Sequence, residues 1–133
     1  MAEKKNQLLK ITLALFALVS LYYGIIYLFF PGWEIENAGG EPIPEAWVRW
    51  FGPILLALSF GSMMMFRNPS KQGIFVLTLC VGSLLLALTL YYELIFGSRE
   101  DFNLLTTLIP AIVMTVIAIL FWLSLRQSKE LLW

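Results

Sequence analysis

The chain alternates long apolar runs with short polar breaks. Four runs carry the pattern, at 11–30, 47–66, 74–97 and 104–125. A hydrocarbon core of ~30 Å takes about 20 helical residues at ~1.5 Å each, and every run meets that length. A segment in lipid must satisfy its own backbone hydrogen bonds, so each run is predicted to be a helix. A spanning barrel would need alternating polarity, which these runs lack. The breaks are short apart from 31–46, so consecutive helices are expected to lie antiparallel and side by side. In that first break, Gly39-Gly40 and Pro42-Ile43-Pro44 read as an ordered turn or an extended strap. The predicted fold class is all-α: one membrane domain over 1–133, an up-down bundle of four transmembrane helices. Lys4, Lys5 and Lys10 precede the first run as they would a signal peptide. The run is too long for that, and Phe29-Phe30-Pro31-Gly32-Trp33 offers no small-x-small cleavage site, so it reads as an uncleaved first span.

Charge gives the bundle a direction. Lys4, Lys5, Lys10, Arg67, Lys71, Arg126 and Lys129 fall at one end, and Arg49 and Arg99 at the other. The positive-inside rule then predicts that both termini are cytoplasmic. The first break, with Glu34, Glu36, Glu41 and Glu45 and no base, is expected outside as a solvated acidic rim. Trp33, Trp47 and Trp50 would mark the outer interface, and Trp122 and Trp133 the inner one.

Composition narrows the chemistry. Hydrophobic residues make up 59% and charged residues 14%, and mean hydropathy is +0.80. Soluble domains are nearer half apolar and a quarter charged, so a soluble enzyme is excluded. Nine basic residues balance nine acidic ones, leaving no net field to recruit nucleic acid. The chain has no histidine and one cysteine, Cys80. This removes the commonest metal ligands and the usual general base, and it forbids an internal disulfide. No cofactor and no metal are expected. Cys80, inside an apolar run, reads as a small buried residue. Met63, Met64 and Met65 read as adaptable filler, since three consecutive residues cannot share a helix face.

Helices in lipid associate through small residues, so small-residue stripes should mark the buried faces. The stripes are Ala14, Ala17, Ser20 and Gly24; Pro53, Ala57 and Gly61; Gly82, Leu86, Thr89 and Glu93; and Thr107, Ala111, Thr115 and Ala118. Arg49 shares the face of Pro53 and Ala57, and Glu93 that of Gly82 and Thr89. Both stand within about one turn of the outer boundary. Arg49 and Glu93 are therefore expected to approach each other at the floor of an outward-facing pocket completed by Tyr23, Tyr27, Trp50, Tyr92 and Thr107. Tyr27 also suits an interfacial aromatic belt. Tyr22 and Tyr23 lie about 12 Å below Pro31 and need partners within the bundle. Alternatively, Arg49 reaches lipid phosphate and Glu93 reaches water.

Leu21-Tyr22-Tyr23 recurs as Leu90-Tyr91-Tyr92, and Pro53 and Pro110 occupy matching places in the second and fourth runs. Together they hint at a duplicated two-helix unit. The length, the four spans, Arg49-Trp50-Phe51-Gly52 at the start of the second span and the later Gly61 resemble the DoxX-like group of small bacterial membrane proteins. That resemblance implies the fold. It carries over no redox role, because this chain lacks the cysteine set some relatives carry. Three functions compete. The first is a non-catalytic accessory component that packs with membrane lipids, partner subunits or its own copies. The second is a binder or carrier of a lipid-like molecule around Arg49 and Glu93. The third is a proton or ion pathway through Glu93. An enzyme ranks below these, and the expected location is a bacterial inner membrane.

Overall fold

The computed structural model describes residues 2–39, 43–97 and 103–133, with side chains from Asn6 onward. Gly40, Glu41, Pro42 and Arg99 lie outside the described residues, as do the side chains of Lys4 and Lys5. The elements are α1 (Ala2–Phe29), α2 (Pro31–Ala38), α3 (Glu45–Arg67), α4 (Gly73–Phe96), α5 (Leu104–Gln127) and α6 (Lys129–Leu132). Helices α1, α3, α4 and α5 are long and apolar enough to cross a membrane. The first break is not an extended strap. Its first half is the helix α2, started by Pro31 in the first turn, where a missing N–H costs nothing. It ends at Gly39, whose φ of 73° is a left-handed conformation that favours glycine.

The spanning helices form two tight antiparallel pairs, α1 with α3 and α4 with α5, and α1 packs against α5 to join them. Among the described residues, α3 and α4 do not pack along each other. The expectation that consecutive helices are neighbours therefore fails for this one hairpin.

Local chemistry explains the difference. At the α1–α3 crossing, a Cβ built on Gly52 would lie 2.8 Å from the Leu28 nitrogen and 3.0 Å from the Gly24 carbonyl oxygen. Two glycines thus bring the backbones together. Below them, the Ser59 hydroxyl donates to the Ala17 carbonyl at 2.7 Å. Across α4–α5, the Cys80 thiol donates to the Ala118 carbonyl at 3.6 Å, and the Tyr91 and Thr115 hydroxyls meet at 2.9 Å. Across α1–α5, Phe16 and Phe121 pack edge to face at 5.7 Å, beside Thr12 and Ser124, whose hydroxyls lie 3.4 Å apart. Between α3 and α4 the near approach is apolar, the Phe75 ring over Gly61.

The small-residue stripes identify the buried face of α1 and α5 and misplace it on α3 and α4. Ala17, Ser20 and Gly24, and Ala111 and Ala118, are buried. On α3, however, Pro53 and Ala57 are exposed, and the buried face is Gly52, Ser59, Ser62 and Met65. On α4, Gly82, Leu86 and Thr89 are exposed, and the buried face is Gly73, Val76, Leu79, Cys80, Ser83 and Ala87. Adjacent helical positions differ by about 100°, so a one-residue error in phase turns a wall outward.

The apolar core occupies the inner half of the bundle, built on Leu9, Leu13, Phe16, Met65, Val76, Leu79, Phe121 and Leu132. Helix α6 closes that end. Lys71, at a left-handed φ of 57°, donates its N–H to the Leu131 carbonyl at 2.9 Å. Trp133 lies so close over Gly73 that a Cβ there would sit 2.7 Å from its ring. At the same end, Lys10 stands 5.8 Å from the Phe66 ring centre and Arg126 4.9 Å from that of Trp122.

Candidate functional site

With the core below and α3 splayed from α4, the outer half holds a cavity of about 490 Å³. Its walls come from all four spans: Phe16, Val19 and Ser20 on α1, Phe51, Ile54 and Leu58 on α3, Leu79, Gly82, Ser83 and Leu86 on α4, and Val113 and Met114 on α5. Phe51 and Ile54 are more than half exposed, at 59% and 56%, and Leu86 is 43% exposed. The cavity thus opens sideways between α3 and α4, toward the bilayer. It is mostly apolar, with the hydroxyls of Ser20, Thr78 and Ser83 along its walls, and its polar end is where Tyr23, Tyr27, Glu34, Thr106 and Thr107 converge.

Above it is a second cavity of about 350 Å³, lined by Tyr22, Tyr23, Trp33, Glu34, Asn37, Asn103, Leu105, Thr106, Ile109 and Pro110. Tyr23, Glu34, Thr106 and Pro110 line both cavities, and this shared lining is termed the neck. The arrangement is an apolar slot below a polar vestibule.

Helix α2 makes the vestibule. At one end, a Glu45 carboxylate oxygen lies over Gly32, where negative charge suits the positive end of a helix dipole. Arg49 donates to that same carboxylate at 3.4 Å. At the other end, the Asn37 carbonyl accepts from the Asn103 amide at 3.1 Å and from the Thr106 hydroxyl at 3.2 Å, and the Ala38 carbonyl accepts from the Asn103 N–H. Asn103 also caps α5 by accepting from the Leu105 N–H at 3.2 Å. One residue therefore starts α5 and ties down α2. Strapped in this way, α2 carries Glu34 over the top of the slot.

Glu34 is half-buried, and burial pushes its carboxyl above the usual carboxylate range. Among the described residues, no side chain hydrogen-bonds to it and no base lines either cavity. Pro110 has no N–H to give to the Thr106 carbonyl one turn earlier, so a second acceptor at the neck lacks its helical partner. Deeper in the slot, the buried Ser83 hydroxyl has no partner among the described residues.

Three of the residues expected to form a pocket do so: Tyr23, Tyr27 and Thr107. Tyr27 turns inward and is not a belt residue, whereas Tyr22 is mostly exposed and needs no partner in the bundle. Arg49 and Glu93 do not meet. Arg49 pairs with Glu45 on its own helix, and neither Arg49 nor Glu93 lines either of these two cavities. Trp50 and Tyr92 face outward, 67% and 60% exposed, with Tyr92 tilted against Phe96 at 5.0 Å. The cause is the phase of α3 and α4, which carries the faces of Arg49 and Tyr92 away from the centre. The residue missed is Glu34. Its signal was Pro31 followed three residues later by an acid, the signature of a helix start.

Four membrane-length helices around a laterally open slot define this chain as an integral membrane helical bundle. It matches no protein-family model, no curated protein and no solved structure.

Proposed function

We propose that this protein is a non-catalytic membrane component that binds a single lipid-like amphiphile. The ligand enters between α3 and α4, lays its chain in the slot and holds its head in the vestibule under α2. The carrying observation is that an apolar, laterally open cavity and a polar chamber adjoin and share four lining residues, Tyr23, Glu34, Thr106 and Pro110. The slot volume of about 490 Å³ lies within the range of small-molecule sites. From Tyr27 down to Phe16 it runs ~16 Å along α1, the reach of one medium alkyl chain. An accessory role based on packing alone would favour a closed bundle, and a proton pathway through Glu93 would favour a cavity that Glu93 lines. The clustering of basic residues at the α6 end favours a cytoplasmic location for that end, in a bacterial inner membrane.

Gly82 supplies the test. It lines the slot, and a Cβ there would meet nothing within 4 Å. Gly82→Phe should therefore fill the slot without disturbing a helix contact. Native mass spectrometry of the gently extracted protein should show a bound amphiphile on the wild type and none on Gly82→Phe, with thermal stability preserved. Equal lipid on both proteins would overturn the reading. So would a dimer or partner subunit that buries the α3–α4 face.

A further inference from the structure

We infer that the head group this site selects is a positively charged alkylammonium, a statement that rests on the amphiphile reading above and specifies its ligand. The vestibule combines aromatic rings with neutral polar groups, the amides of Asn37 and Asn103 and the hydroxyl of Thr106. Its one charged group is the Glu34 carboxylate, shared with the slot. Among the described residues lining the two cavities there is no lysine or arginine to meet a phosphate, sulfate or carboxylate. An anionic head would leave water to sit beside Glu34 with no basic residue of the described lining to offset the repulsion, which disfavours it. A cation meets the opposite conditions. Tyr22, Tyr23 and Trp33 place three aromatic rings around the chamber, with Tyr22 and Tyr23 edge to face at 5.2 Å. Aromatic faces attract ammonium groups, most strongly where water is partly excluded. The Thr106 carbonyl lacks its usual helical donor because residue 110 is proline, which leaves it able to accept an N–H from a ligand. A primary ammonium brings three donors to these acceptors, with its chain directed down past Tyr27 into the slot.

The site also explains the otherwise unmatched position of Glu34. A half-buried carboxylate without a hydrogen-bonding side chain is costly to keep, and a cationic ligand supplies what the described protein does not. Of the other described acids near α2, Glu45 is engaged by Arg49, Glu36 is exposed, and neither lines a cavity. Selectivity therefore falls on Glu34.

The test uses the full chain in maltoside micelles and three decyl probes, namely decylamine, decanol and decanoate, at mildly alkaline pH. Apparent affinities come from the rise of Tm with probe concentration, with Gly82→Phe as the blank for partition into micelles. Decylamine should bind about tenfold more tightly than decanol, with decanoate weakest. Glu34→Gln should bring decylamine to within about twofold of decanol while leaving decanol binding unchanged. Trp33→Leu should weaken decylamine selectively and spare decanol. Decanoate binding as well as decylamine, or an amine preference that survives in Glu34→Gln, would overturn the head-group inference. Decanol binding that Gly82→Phe abolishes would still uphold the slot. If none of the three probes binds the wild type above the blank, both the inference and the reading beneath it fail.

Discussion

At Gly52, a missing methyl group sets the distance between two helices. The Leu28 nitrogen and the Gly24 carbonyl occupy the space a Cβ would need, and both are backbone atoms that cannot rotate away. Gly52→Ala is expected to lower stability by ~1–3 kcal/mol, the usual cost of overpacking, read as an earlier midpoint in reversible unfolding from mixed micelles. Gly82→Ala should do the reverse, adding up to ~1 kcal/mol, because helix propensity improves and nothing stands in the way. Glu34 gives a pH signature at the same scale. Burial raises its carboxyl in the folded state above the unfolded value. Its favourable contribution is therefore complete below the ordinary glutamate range and is lost as pH rises through the raised value. The wild-type Tm should fall across that window, and Glu34→Gln should flatten the fall. The other described titratable groups nearby are Glu36 on α2 itself, Tyr22, Tyr23 and Tyr27 on α1, and Glu45 on α3.

Among the elements, what was legible in the sequence and what was not divides on signal length. Twenty apolar residues in a row carry a spanning helix on their own, so α1, α3, α4 and α5 fall where the apolar runs place them. Eight residues with two glutamates and one tryptophan do not stand out against a polar loop, so α2 is invisible until its ties are seen. Helix phase failed for a related reason. On α3 and α4 nearly every position is apolar, and hydrophobicity no longer distinguishes inside from outside. Glycine, alanine and proline were read as interface markers, yet the buried positions were better marked by Ser59, Ser62 and Ser83, whose hydroxyls are costly to expose to lipid. The Tyr-Tyr repeat shows the same limit. Tyr22 borders the vestibule while staying more than half exposed and Tyr23 lines both cavities, while Tyr91 bonds Thr115 inside and Tyr92 faces out. The repeated pair is thus used in opposite senses. The placement of α2 depends on Asn103, which caps α5 and holds the Asn37 carbonyl. Asn103→Ala should cost ~0.5–2 kcal/mol as a lost cap. Beyond that, it should release α2, seen as faster hydrogen exchange across 31–38 with α1 protection unchanged.

For the whole molecule, the decisive feature is that packing is uneven along the membrane normal. The inner half is a sealed core latched by α6, and the outer half is two helix pairs held apart. The two ends also differ in charge. Lys10, Arg67, Lys71, Arg126 and Lys129 gather around the sealed end with one acid, Glu130, while Glu34, Glu36 and Glu45 stand at the open one with one base, Arg49, among the described residues. The positive-inside rule turns such a difference into an expected orientation, with the basic end in the cytoplasm. Under that proposed orientation the vestibule faces outward and the proposed ligand comes from the outer leaflet. Because Cys80 is the chain's one thiol, this can be measured directly. In a Cys80→Ser background, a membrane-impermeant thiol reagent should label Asn37→Cys in intact cells and should reach Asn68→Cys only after permeabilisation. Both positions are solvent-exposed on the protein, so a difference in labelling reports the membrane and not burial. The opposite pattern would turn the bundle over, place the acidic vestibule in the cytoplasm and assign its ligand to the inner leaflet, while leaving the slot, the neck and the role of Glu34 unchanged.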